Sequence, residues 1–198
     1  AASASTLDRL LKASRVAHPK GLCGTKPGTL LKKQIPIRCE HWDVSIPGFV
    51  EADTVAHCGE SLLGMFAYTV DFVDIATGWT EQRAVWGKGE KGVVNALVNI
   101  ENRLPFELLG FDCDNGSEFL NWHIVRHFLK RKKPVHFTRS RAYYKNDNAH
   151  IEEKNWTHIR QYLGYQRFDK IELIDLLNDY FLPNDESNTG GELVWQLK

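Results

Sequence analysis

The chain has 198 residues, 42% of them hydrophobic, which is enough apolar material for one packed domain with short appendages. Lys plus Arg and Asp plus Glu each number 25, so the formal net charge is zero and only the distribution of charge can point to a partner. No apolar run approaches the roughly 20 residues that a bilayer-spanning helix needs, and no secretory signal opens the chain. Four dispersed cysteines at 23, 39, 58 and 113, with no CxxC pair, exclude a disulfide framework and fit reduced thiols in a cytosolic protein. A zinc set drawn from His18, Cys23, Cys39 and His41 lacks the close ligand pairs such sites use.

The chain begins at alanine, which reads as a fragment or a processed segment. Thr6 to Lys12 is expected as a short helix with Thr6 as its N-cap. A basic stretch punctuated by Gly21, Gly24, Pro27 and Gly28 follows and reads as a linker with little structure of its own. The main domain is expected from Phe49. Three strand-like runs come first, over 49–57, 62–73 and 79–86, the last two joined by the turn-rich Asp74-Ile75-Ala76-Thr77-Gly78. Val93, Leu97, Ile100 and Leu104 recur at helical spacing. Leu108 to Cys113 reads as a short buried strand. Ser117 is the expected cap of a helix carrying Phe119, Trp122, Val125 and Leu129. Val135 to Thr138 is a further strand, and helices are expected over about 148–165 and 170–181. A meander of three strands followed by alternating helices and strands predicts an α/β fold, a mixed central sheet of about five strands flanked by helices.

Charge is segregated within this plan. Residues 1–38 hold eight Lys and Arg against Asp8 alone, and residues 126–145 hold eight more with no acid at all. Phe137, Tyr143 and Tyr144 interleave the second segment. Cations interleaved with flat aromatic faces suit nucleic acid, because one group tracks phosphates while the other stacks on unpaired bases.

Three acids fall in settings that suit a shared metal site. Asp53 lies in the alternating strand Phe49 to Ala56, on one face with Glu51, which competes for the same role. Asp114 closes a short strand just before an Asn-Gly turn, where open α/β sheets place ligands. Glu152 opens a helix, and its spacing to Trp156, Ile159 and Leu163 sets it beside the packed stripe. Glu153 aligns instead with the more polar Thr157 and Arg160, so Glu152 is the better candidate. Carboxylate oxygens are the preferred ligands of hard divalent cations, and a pair of such ions can activate one oxygen and stabilise another in phosphoryl transfer.

At these residues the chain resembles the catalytic core of the retroviral integrase superfamily, the DDE transposases and integrases, and most of all the integrase-core transposases of bacterial insertion sequences. The resemblance rests on Pro47 to Gly59, Asp74 to Trp79, Asp114 to Phe119 and Lys145 to Glu152, four motifs in order, and runs from about Gly24 to Phe181. It implies an RNase H-like fold. It implies that Asp53, Asp114 and Glu152 form the catalytic, metal-binding triad for two Mg²⁺ or Mn²⁺ ions. The implied activity is cleavage of mobile-element ends and their strand transfer into target DNA. Arg139, Arg141, Lys145, Asn146, Asn148, His150, Lys154 and Asn155 are then the candidate DNA-binding residues. The implied partners are DNA and further copies of the chain, with no small-molecule substrate, in a nucleoid-associated, cytoplasmic setting. The matching domain plan is a helix-turn-helix remnant (1–17), a basic linker (18–48), the core (49–182) and a polar tail (183–198). Two rival expectations are a truncated DNA-binding remnant and an RNase H-like nuclease that only hydrolyses.

Overall fold

The computed structural model describes residues 3, 6, 9, 10, 31, 32, 34–38, 45–141 and 148–181. The body of the expected N-terminal helix, the polar tail, Tyr143, Tyr144, Lys145 and Asn146 lie outside the described residues. A five-stranded sheet in the order β3-β2-β1-β4-β5 forms the centre. Its strands are β1 (Phe49–Ala56), β2 (Ala67–Asp74), β3 (Thr80–Trp86), β4 (Gly110–Cys113) and β5 (His136–Arg139). β1 to β3 pair antiparallel as a meander, while β4 and β5 join parallel to β1 and to each other. Helix α1 (Glu90–Glu101) connects β3 to β4, and α2 (Trp122–Leu129) connects β4 to β5. After β5 come α3 (Ala149–Lys154), a π-helical turn π1 (Asn155–Arg160), α4 (Gln161–Leu163) and α5 (Leu173–Tyr180). Among the described residues no helix is long and apolar enough to cross a membrane.

Alternation along β1 divides its side chains between two layers. Val50 and Ala52 join Phe72, Phe111, Leu97 and Phe128 in the larger core beneath α1 and α2. Phe111 is the hub of this layer, with ring centroids 4.8 Å from Phe128 and 5.3 Å from both Phe72 and Phe137. Val55 faces the other way, into a smaller layer with Ile159, Leu163, Phe168 and Leu177. Asp53 shares that second face.

Several expectations shift in register. Residues 62–66 do not extend β2. Leu62 and Leu63 are exposed, Gly64 takes a φ of +77°, and Arg167 donates to the Cys58, Ser61 and Leu63 carbonyls, fixing the stretch as a loop. Hydrophobicity there came from a loop tip, and apolar content alone does not make a strand. The cap of α2 is Asn121, whose Oδ1 accepts from the His123 and Ile124 amides at 3.0 and 3.1 Å; Ser117 lies a turn too early. The buried stripe of α2 is therefore Ile124, Val125 and Phe128, and Trp122 and Leu129 are exposed.

Part of the stretch expected as a linker is packed onto the domain. Leu31 and Ile35 are buried in the larger core. Ile37 bridges Arg139 in parallel, Arg38 N–H donates to the Arg139 carbonyl at 2.9 Å, and the Arg139 amide donates to Pro36 at 3.1 Å. Residues 36–38 thus run along the outer edge of β5 and cover its unpaired backbone groups.

Candidate functional site: a row of carboxyls across β2, β1 and the end of β4

Strand register places the acids. In the parallel pair Glu51 stands opposite Asp112 and Ala52 opposite Cys113, so the chain leaving β4 carries Asp114 alongside Asp53. On the other side of β1, Asp53 faces Asp71 across the antiparallel ladder. Residues opposite one another point to the same face of the sheet. Asp71, Asp53 and Asp114 therefore form one row across β2, β1 and the end of β4.

The local chain tightens this row. Asp114 Oδ1 accepts the Gly116 amide at 2.8 Å, the short Asp-Asn-Gly turn closing on its own first residue. Glu118 is buried and reaches back so that its Oε1 accepts from Thr54 Oγ1 at 3.1 Å. Gly116 separates the two acids at its own position. A Cβ there would lie 2.7 Å from the Glu118 carboxyl and 2.8 Å from Asp114 Oδ1. Any Cβ would have to displace one of these two carboxyls. Asn115 anchors the turn, its Nδ2 donating to the Ser140 carbonyl at 3.0 Å and its Oδ1 accepting from Arg139 Nη1 at 2.9 Å.

Asp53 is held from two sides. Its Oδ1 accepts the Thr54 amide at 2.7 Å, and its Oδ2 accepts Asn155 Nδ2 at 2.8 Å. Burial pushes its pKa up from 3.8 to about 6; the two hydrogen bonds oppose this, while the charges of Asp114 and Glu118 add to it. Asp114 is also raised, first by burial and then by Glu118, against the Gly116 amide and the distant charges of Lys88 and Lys32. Asp71 is raised well above 3.8, chiefly because it is completely buried. Among the described residues none of these three is in an ion pair. A buried row of neighbouring carboxyls with no ion-pair partner disfavours its own ionisation, and a bound cation offsets that.

Helix α3 arrives over this face. The Ile151 amide donates to Glu51 Oε2 at 3.2 Å and His150 Nδ1 lies 3.4 Å from Glu51 Oε1. Glu51 also pairs with Arg38 Nη2 at 3.2 Å, and the same guanidinium lies 3.6 Å from Asp112, which additionally accepts from Thr138. Glu51 is thereby committed to tying the N-terminal segment and α3 to the sheet, which removes it as a competitor of Asp53. The helix widens into π1 at Asn155, the residue that holds Asp53. Single π turns often mark functional positions. Nothing in the sequence periodicity announced this one.

The expected triad is partly assembled. Asp53 and Asp114 stand together. Glu152 sits on the first turn of α3, three residues before Asn155, and is exposed. Trp156, which helped to set the stripe favouring Glu152, is 51% exposed, and Glu153 is exposed too. The described residues hold no cluster of three or more His, Cys, Asp or Glu side chains already in metal-holding geometry. Glu118 and Asp71 are the acids that sequence reasoning passed over. Strand pairing places Asp71, since the register of β1 and β2 sets it directly opposite Asp53. The donor set still fits a hard divalent ion: acidic oxygens, mutually repelling, around a cradle that a Cβ at Gly116 would fill.

The expected DNA-facing residues divide. Arg139 donates to the Ile35 and Lys32 carbonyls at 3.2 and 3.0 Å besides Asn115, so it braces the Asp114 turn against the N-terminal segment. Asn148 Nδ2 donates to Ser140 Oγ at 3.2 Å and does not cap α3. Arg141 and His150 are exposed, while Lys154 and Asn155 are half-buried on α3 and π1.

No protein-family model matches the chain. It is similar to an uncharacterized protein, y4rM, of Sinorhizobium fredii (strain NBRC 101917 / NGR234), at 40% identity over 168 residues. That match takes in 83% of this chain and 47% of the relative, so the chain spans about half the length of the curated relative it matches. Among solved structures, a chain of the simian T-cell lymphotropic virus intasome, in complex with PP2A regulatory subunit B56 gamma, superposes with a TM-score of 0.54. Identity there is 14%, over 98% of this chain and 68% of that one. A catalytic core of HTLV-2 integrase, in complex with magnesium, gives 0.46 at 18% identity, over 77% of this chain and 87% of that one. The fold is accordingly RNase H-like, a mixed five-stranded sheet flanked by helices.

Proposed function

We propose that the chain is the catalytic core of a DDE-type transposase or integrase of the bacterial insertion-sequence kind, cleaving mobile-element ends and joining them to target DNA. The observation that carries this reading is the placing of Asp53, within β1, beside Asp114, just past the carboxyl end of the parallel strand β4, both raised in pKa first by burial and then by neighbouring carboxylates. Asp53, Asp114 and Glu152 would hold two Mg²⁺ or Mn²⁺ ions. Such ions, when bound, activate the attacking oxygen and stabilise the departing one.

The remaining steps belong to the protein. Thr54 N–H and Asn155 fix the Asp53 carboxylate, so its oxygens are oriented before any ion arrives. Asn115 and Arg139 hold the Asp114 turn to the edge of the sheet. Glu152 would enter from the helix turn that precedes Asn155, whose Nδ2 donates to Asp53. Arg141, Lys145, Asn146, Asn148, His150 and Lys154 would face the DNA around the third acid, and Arg139 would act by keeping that rim in place. Several copies would bridge paired element ends on the nucleoid, with DNA and not a small molecule as substrate.

Incubation with labelled element-end DNA tests the reading. Nicking and joining are expected with Mg²⁺ and are expected to disappear in Asp53→Asn; unchanged activity in that variant rules the site out. A second reading, a catalytically impaired DNA-binding remnant, is favoured by the exposure of Glu152. Under that reading DNA is bound, but calorimetric titration with Mn²⁺ gives no heat of binding.

A further inference from the structure

Asp71 is a completely buried carboxyl for which neither oxygen has a hydrogen-bond partner among the described residues. Buried polar atoms are nearly always paired, so two on one side chain require a reason. Its neighbours in the ladder are Asp53 on β1 and Gln82 on β3. Gln82 Nε2 and the Phe72 amide approach the carboxyl and lower its pKa against burial, but neither reaches hydrogen-bond geometry, and Lys154 acts only through space. One further orphan lies beside the row. Asn155 donates its Nδ2 to Asp53, yet its Oδ1 is buried and unpaired. Three acceptor oxygens without a donor in hydrogen-bond geometry thus flank a single carboxylate.

A role in packing does not account for this. Valine or threonine fits a half-buried strand position at lower cost, whereas an unsatisfied buried carboxyl destabilises the fold. What the three oxygens lack is donors within hydrogen-bond geometry. Mg²⁺ dehydrates reluctantly and keeps several waters when protein carboxylates bind it, and each retained water offers two O–H donors. Partners of that outer shell orient the inner ligands and tune metal affinity. We propose that Asp71 is a positioning residue of the acidic row, accepting hydrogen bonds, together with Asn155 Oδ1, from the water that a divalent cation carries to Asp53. This rests on the metal-dependent reading above and deepens it. It assigns to a fourth acid, outside the expected triad, the part of selecting a hydrated ion.

The test is calorimetric titration of the full chain with Mg²⁺ alone and with Ca²⁺ alone, beside unfolding in EDTA. Asp71→Asn is expected to lower Mg²⁺ affinity by about 10- to 100-fold, the range seen for outer-shell partners. Ca²⁺, which takes more protein oxygens and holds its water less tightly, is expected to lose less. Without metal the same variant is expected to unfold at equal or higher urea than the parent. Asp71→Ser, which removes the carboxylate without the amide's extra donor, should lose Mg²⁺ affinity in the same direction and covers the case in which the asparagine disturbs folding. Unchanged Mg²⁺ affinity in Asp71→Asn, with binding abolished in Asp53→Asn, overturns the proposal and leaves the metal site standing. Equal losses for both ions, with lowered stability in EDTA, also overturn it by showing a purely structural side chain. Should Asp53→Asn bind Mg²⁺ like the parent, the metal-dependent reading falls and this inference falls with it.

Discussion

Replacing Asp53 by asparagine should make the ion-free protein more stable at neutral pH while destroying its proposed activity. The side chain is nearly isosteric, and its local bonds survive: Oδ1 still accepts the Thr54 amide, and Asn155 can turn its unpaired Oδ1 toward the new Nδ2. What changes is the charge. The folded-state pKa is about 6 against an ordinary 3.8, so the folded protein prefers the protonated acid. The stability carried by that preference is fully present below about pH 3.8 and is lost as pH rises through about 6. The difference of roughly two pH units corresponds to about 3 kcal/mol, an upper figure because the side chain keeps some contact with water.

The parent should therefore lose up to about 3 kcal/mol between pH 4 and pH 7.5 through this group, and Asp53→Asn should not. Urea unfolding in EDTA at pH 4, 5.5 and 7.5 measures the gap. The two proteins should agree at pH 4 and diverge by pH 7.5, where the variant melts roughly 6–12 °C higher. Adding Mg²⁺ at pH 7.5 should close the gap from the parent's side alone, since only the parent binds the ion and binding to the native state stabilises it. A variant less stable than the parent at pH 7.5, or a difference that ignores pH, would refute the argument from burial and crowded charge.

Other substitutions separate the site from its supports. Gly116→Ala drives a Cβ against the movable ends of Glu118 and Asp114, so the fold should survive with about 1 kcal/mol or less of loss, while calorimetry shows Mg²⁺ affinity reduced at least several-fold. Arg139→Ala should cost about 2–3 kcal/mol in urea, through three lost hydrogen bonds from a charged group, and leave the salt dependence of DNA binding unchanged. Lys145→Ala should do the reverse, keeping stability and lowering the salt slope by about one. Arg38→Met should leave Glu51 and Asp112 buried beside each other at a cost of about 3–5 kcal/mol, read as a lower urea midpoint at neutral pH that recovers toward acid pH.

The sheet was legible because its strands carry alternation or continuous burial that no other element imitates. β1 reads Phe49 to Ala56 with Asp53 and Val55 on one face, and β4 is buried on both faces, so each announces its environment. Errors fell where hydrophobicity served something other than the core. Leu62 and Leu63 are apolar at a loop tip pinned by Arg167, and Trp156 is apolar on an exposed π turn. Asp53 could be read from the alternation of β1 and Asp114 from the strand-end rule. Glu118 and Asp71 needed register and the return of a turn, which are tertiary facts. Arg139 is the converse case: a cation in an acid-free basic segment that the fold spends on carbonyls.

The same end of the sheet gathers the features least favourable to folding. Asp71 is buried without partners, Asp53 and Asp114 crowd one another, Asn155 leaves an amide oxygen unpaired, and the helix above them breaks into a π turn. The larger core, centred on Phe111, has none of these defects among its described residues. Stability lost at one end and secured at the other is the distribution expected when a rigid scaffold carries a site that awaits a charged ligand. The contrast links the two layers of β1: Val50 and Ala52 hold the strand in place so that Asp53, one residue along and on the opposite face, can remain where an isolated carboxylate would not choose to be.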